Sequence, residues 1–186
     1  MDAFSYLSVL LSIILGLAIA QVLQGYRALL LARGRIRVDP APLIWSALVL
    51  LFAAQAWWAS FGLNARQNWD FADFTAILVQ MGLLYMLSAL ALPDVPAEEP
   101  VDLTLHFSRH RKPFFVFLIA MLASSIAKEA VLEHRLTSPL NLTFHAMFAL
   151  IAAGGIVLSN RKAQLALALC ASVGFLAYVA LLFARL

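Results

Sequence analysis

The chain has 186 residues, 63% hydrophobic and 12% charged, with a formal net charge of +3 and a mean hydropathy of +0.90. A soluble domain carries about 25% charged residues, so this composition excludes a soluble catalytic or nucleic-acid-binding domain. The single cysteine, Cys170, excludes an intrachain disulfide and a cysteine-based metal site.

Six apolar segments fill almost the whole chain: Phe4–Leu31, Leu43–Leu63, Phe71–Leu92, Phe114–Leu132, Leu140–Ser159 and Ala163–Phe183. A helix crosses the ~30 Å hydrocarbon core of a bilayer in about 20 residues. Lipid offers no partner to backbone N–H and C=O groups, so the segments are expected to be helices. The predicted fold is all-α: a polytopic integral membrane protein, one domain over residues 1–186, built as a compact bundle of six transmembrane helices. The lipid bilayer is its first partner.

In span one, Leu7–Leu17 resembles a signal-peptide core, and Ala18-Ile19-Ala20 a cleavage site. Met1-Asp2 brings no basic residue, however, and apolar character continues to Leu31, so the segment reads as a first transmembrane helix. Ser8, Ser12, Gly16 and Ala20 recur at intervals of four and mark a smooth face for close helix packing, ending at Gln24. Arg27, Arg33, Arg35 and Arg37 follow. The turn Asp39-Pro40-Ala41-Pro42 leads into span two, which carries Gln55, and span three carries Gln80.

The polar stretch Pro93–Lys112 is expected to be a solvated loop. Within it Asp102, His106 and His110 recur at intervals of four, and on a helix they would present one face to a divalent metal. The alternation Val101, Leu103, Leu105, Phe107 reads equally well as extended or interfacial chain. A fourth ligand is wanting, so no metal or cofactor is assigned, and Arg109, Arg111 and Lys112 are expected to meet anionic lipid.

Pro113 is expected to open span four, where a missing N–H costs little. Counted from there, Lys128 and Glu129 lie about 22–24 Å along the helix, still within the hydrocarbon core. Ser125, Glu129 and Glu133 share one face at intervals of four. Span five places His145 six residues after Pro139, which matches the depth of Glu129 from the same side. His145, Ala149 and Ala153 in span five and Ala166, Cys170 and Gly174 in span six form further stripes at intervals of four, expected to mark helix contacts within or between chains.

Loop charge orients the bundle. Arg27, Arg33, Arg35, Arg37, Arg109, Arg111, Lys112, Arg161 and Lys162 fall beside the odd-numbered loops. Arg66, Lys128, Arg135 and Arg185 fall on the other side. The positive-inside rule then makes the odd loops cytoplasmic and puts both termini outside, in a bacterial-type inner membrane. Trp57, Trp58, Trp69, Tyr6 and Tyr178 are expected near the outer interface, and Trp45, Tyr26 and Tyr85 near the inner one.

Intramembrane ionisable groups commonly mark ion or proton paths. Glu129, Lys128, Glu133 and His145, with Gln80 and Gln55, are therefore expected to converge on an outward-facing polar cavity serving an ion or proton pathway, as channel or small transporter. The alternative is a non-catalytic membrane subunit that binds a partner protein or senses the bilayer. Packing stripes in excess of what one small bundle needs are compatible with a homo-oligomer. An enzyme built on His106 and His110 is the least supported reading. There is no phosphate-cradling glycine loop, no Gly-x-Ser-x-Gly and no Cys-x-x-Cys, so the chain is not assigned as an enzyme. The arginines beside span one read as a topology signal and not as a nucleic-acid surface.

Overall fold

The structure, a computed structural model, describes residues 3–66, 68–94, 100–133 and 137–182. It contains six helices: α1 (Ala3–Leu31), α2 (Pro40–Ser60), α3 (Phe71–Ala91), α4 (Leu103–Glu133), α5 (Pro139–Val157) and α6 (Arg161–Leu182). Each is long and apolar enough to cross a membrane, and together they make a multi-pass helical bundle.

Local chemistry sets the helix starts. The Asp39 side chain accepts from the Ala41 N–H at 3.2 Å, with Pro40 and Pro42 in the first turn of α2. Asp70 and Asp73 form a reciprocal capping box at the head of α3. Ser138 accepts from the Asn141 N–H at 3.3 Å, and Pro139 occupies the first turn of α5.

The fourth helix departs from expectation. It begins at Leu103, so most of the stretch expected as a loop up to Lys112 is helical, and Pro113 lies inside the helix instead of opening it. Asp102 Oδ1 accepts from the N–H groups of Thr104 at 2.8 Å and Leu105 at 3.1 Å, and so starts the helix early. An interior proline costs about 3 kcal/mol. Burial of Phe107, Phe114 and Phe115 on either side of Pro113 opposes that cost. Just before α4, β2 (Val101–Asp102) pairs in parallel with β1 (Ile36–Arg37), with Ile36 opposite Val101 and Arg37 opposite Asp102. This short bridge ties the α1–α2 connection to the head of α4.

Packed pairs close a ring in the order α1, α3, α4, α5, α6, α2 and back to α1, with α2 also against α3. Consecutive helices are all neighbours, as short connections require. The main core runs through this ring. A smaller cluster of Leu29, Leu92 and Leu103 lies where α1, α3 and α4 meet beneath the β1–β2 bridge.

Most residues of the small-residue stripes do not face the core of this bundle. On α1 the buried face is Leu7, Leu11, Leu15, Ala18 and Val22, while Ser12 and Gly16 are exposed and the space around Gly16 is open. Ser8 and Ala20 flank that outward face, part-buried. On α6, Ala166 and Cys170 are exposed. Of that stripe Gly174 alone is buried, against Met147, alongside Ala168 and Ala171. On α5, His145 is buried but Ala153 is exposed, and the contact is made by Ala152 and by Gly155 against Phe115. Trp45 is likewise not an interfacial anchor. It is fully buried, edge-on to Phe114 at 5.7 Å and to Phe115 at 5.1 Å.

Candidate functional site

The loops joining α1 to α2, α3 to α4 and α5 to α6 lie at one end of the bundle, here the basic end. Polar side chains fasten the helices together there. Asp39, 2% exposed, holds the Thr104 hydroxyl at 2.9 Å and Arg161 Nε at 3.2 Å, joining the starts of α2, α4 and α6. Arg111 is buried and donates to the carbonyls of Gly155 at 2.6 Å, Ile156 at 3.0 Å and Leu158 at 2.6 Å. A cation on the last carbonyls of α5 satisfies orphan acceptors and opposes the negative end of the helix dipole. Gln164, also buried, donates to Gly155 and Leu158 from α6.

This end also holds Asp102, His106 and His110. Asp102 is occupied by the head of α4 and by Arg37 at 3.3 Å. The His106 and His110 rings lie 4.5 Å apart, and His110 Nδ1 donates to the His106 carbonyl at 3.0 Å. Among the described residues no group of three His, Cys, Asp or Glu side chains is placed to hold a metal ion. The three are helix-start and packing residues in this geometry.

The other half of the bundle is built differently. Between α2, α3, α4 and the facing parts of α1, α5 and α6 lies a polar cavity of about 270 Å³. Gln55 on α2, Gln80 on α3, Ser125, Lys128 and Glu129 on α4, Asn141 on α5 and Tyr178 on α6 line it. It extends to Ser60 and Gly62, at the end of α2 away from the basic loops. Toward the basic end a narrower lobe continues it. That lobe shares Gln55, Gln80, Ser125 and Tyr178, adds His145, and rests on Phe52, Leu84, Phe148 and Phe175. Phe52 meets Phe148 at 6.0 Å and Phe175 at 5.1 Å, both edge-on. Beyond this floor the core is the knot of Trp45, Phe107, Phe114 and Phe115.

Of the expected site residues, Gln55, Gln80, Lys128, Glu129 and His145 therefore line one two-lobed cavity. The Glu133 side chain, with His134, Arg135 and Arg185, lies outside the described residues. Asn141 is the member that sequence reasoning missed. Its Nδ2 donates to Glu129 Oε2 at 3.1 Å, and its backbone carbonyl accepts from His145 Nδ1 at 2.9 Å. One residue thus links the carboxylate to the imidazole. With Nδ1 donating, Nε2 of a neutral His145 is the free acceptor. Among the described residues the Asn141 and Gln80 amide oxygens are buried without a protein partner, so the wall offers acceptors to whatever occupies the space. The signal for Asn141 was its position four residues ahead of His145, one helical turn away on the same face.

Arg66 closes this half at its outer edge. It donates to Asp73 Oδ2 at 2.7 Å and to the Leu132 carbonyl, and lies over the Trp69 ring at 5.5 Å. The connection between α2 and α3 is thereby fastened to the last turn of α4. In comparison with known proteins, the chain matches no family model, no curated protein and no solved structure.

Proposed function

We propose that this protein carries protons or small ions through the polar cavity, as a gated pathway with Glu129 and His145 as its ionisable groups. The observation that supports it is the link from Glu129 through Asn141 to His145, within a cavity also lined by Lys128, Gln55 and Gln80. Ionisable groups are expensive in a membrane and are retained where they face water or an ion path. A carboxylate and an imidazole placed along one polar space are the kinds of side chain from which proton and ion paths are built. The aromatic floor at Phe52, Phe148 and Phe175 favours a pathway that opens in turn to each side over a standing pore.

Loop charge supports an inner-membrane location, with the basic end cytoplasmic, both termini outside and the cavity facing outward. The test is flux of H⁺, Na⁺, K⁺ and Cl⁻ into liposomes holding the purified protein, with Glu129→Gln alongside. Glu129→Gln keeps the shape and removes the charge, and is expected to lower flux about tenfold or more. Equal flux from the two proteins, or none from either under any gradient, would overturn the reading.

A second reading, a membrane subunit that binds a partner or a second copy of itself, draws on one observation. The Ser12 and Gly16 face of α1 points out of the bundle with open space at Gly16. Small residues on an outward face let another helix approach closely. Purification from native membranes with a stoichiometric companion, or as a defined oligomer, is the result that reading requires.

A further inference from the structure

At the basic end, outside the ring of helices, a second cavity of about 310 Å³ lies between the last turns of α1, the β1 segment and the first turns of α2. Its lining is almost wholly apolar. Leu29, Leu30, Ile36 and Leu43 form the walls, Leu103 the floor, and Arg33 stands at the mouth. The floor is fixed, since Leu103 is 1% exposed and packs with Leu29 and Leu92 in the smaller core cluster. One wall is fixed too, because Ile36 is held in register by its pairing with Val101. The groove is therefore preformed, and ordering it costs a ligand little.

Charge says what fits it. Arg27, Arg33 and Arg35 are all exposed around this end of α1. Among the described residues, the ion pairs of this end run from Arg37 to Asp102 and from Arg161 to Asp39. The groove thus offers an apolar trough beside exposed guanidinium groups at the basic end of α1. Leu30 and Val38, which line it, are 71% and 58% exposed, as residues facing lipid tails would be. Guanidinium groups recognise phosphate by paired donors, and basic pockets between transmembrane helices recognise anionic headgroups.

We propose that this groove is a binding site for an anionic phospholipid, with one acyl chain over Leu103 and the phosphate on Arg33 and Arg35. The site is independent of the polar cavity and of whatever passes through it.

Native mass spectrometry of the detergent-purified protein tests it, titrating phosphatidylglycerol and phosphatidylcholine of equal chain length, with glycerophosphoglycerol as the headgroup alone. Each arginine near an anionic lipid contributes a factor of about five in affinity, so two give roughly twenty-five-fold preference for phosphatidylglycerol. The double variant Arg33→Gln, Arg35→Gln should erase that preference while leaving the weak phosphatidylcholine binding in place. Val38→Trp, at an exposed lining position, should fill the groove and reduce retention of both lipids. The headgroup alone should not be retained. Equal retention of the two lipids, a preference that survives the double Gln variant, or retention indifferent to Val38→Trp would each overturn the proposal.

Discussion

Gly16 and Gly155 look alike in the sequence, each a glycine in an apolar helix with small residues nearby, yet their surroundings are opposite. A Cβ at Gly16 would meet nothing within 4 Å, whereas one at Gly155 would overlap the Phe115 ring. That ring is fully buried between Trp45 and Phe114, with neighbours on its other sides at 5.1 and 5.3 Å, so it has little room to yield. Gly155→Ala is expected to destabilise the bundle by about 1–3 kcal/mol through overpacking. Gly16→Ala should be neutral, or gain up to about 1 kcal/mol because alanine restricts the unfolded chain. Thermal unfolding in detergent of the two single variants measures both, and Phe115→Leu should relieve most of the cost of Gly155→Ala. If the two glycines respond equally, the packing of α5 on α4 described here is wrong. The example also shows why the inward stripes were not legible. In a soluble helix the buried face announces itself by apolar periodicity. A membrane helix is apolar all round, so a four-residue repeat of small side chains marks a smooth face without saying which way it points.

At the scale of elements, existence and order were legible and one boundary was not. Each of the six apolar segments corresponds to a helix in the structure, because about 20 apolar residues in lipid have no alternative to a helix. The start of α4 was hidden by the same reasoning. His106, Arg109, His110, Arg111 and Lys112 lower the hydropathy of its first turns, and Pro113 resembles a helix opening. What makes this stretch helical is tertiary: the Asp102 cap, the bridge to β1, and Arg111 reaching the end of α5. Glu129 and His145 come together although the start of span four was misplaced, because each lies a few residues from the α4–α5 connection, α4 ending at Glu133 and α5 starting at Pro139. The polar clasp at the basic end was not legible, because Asp39, Arg111 and Gln164 look like ordinary loop-edge residues until their partners are known. The Asp102 cap carries a pH signature. The Leu105 N–H first, then Thr104 and the nearby Arg37, hold its carboxyl below the usual 3.8 even against some desolvation. A depressed folded pKa means the capping contribution is fully present above the unfolded value of 3.8 and is lost as pH falls through the lower folded value. Hydrogen exchange at residues 103–107, corrected for its intrinsic pH dependence, should show constant protection from pH 8 to 5 and fraying only in acid. Asp102→Ala should fray the same amides at every pH, while Asp102→Asn should keep them protected in acid, because an amide still caps. Wild-type fraying that sets in at neutral pH would rule the cap out as its cause.

For the whole molecule, the two halves differ in how they are held. The basic end is tied across α2, α4, α5 and α6 by Asp39, Arg111, Arg161 and Gln164. The cavity half is joined at its edge through Arg66, whose guanidinium spans from Asp73 at the head of α3 to the last turn of α4. A gated pathway needs one part of the bundle to move against a part that does not, and low-stability regions supply such motion. If the cavity is gated as proposed, this asymmetry makes the basic end the still part and the cavity half the moving part, with Arg66 as its latch. Asp73 is 2% exposed, so removing the arginine strands a buried carboxylate that, among the described residues, keeps only the bond it accepts from the Asp70 N–H. The cost should be about 1–3 kcal/mol, felt mainly at this end. In a Cys170→Ala background, which removes the exposed native thiol, a cysteine placed at Ser125 reports access to the cavity it lines. Arg66→Gln should raise its labelling rate by a polar maleimide, while a cysteine at Ala168, buried in the core, should stay protected. If both positions become reactive together, Arg66 holds the whole bundle and is no latch. If neither changes, the Arg66 contacts do not control access to the cavity.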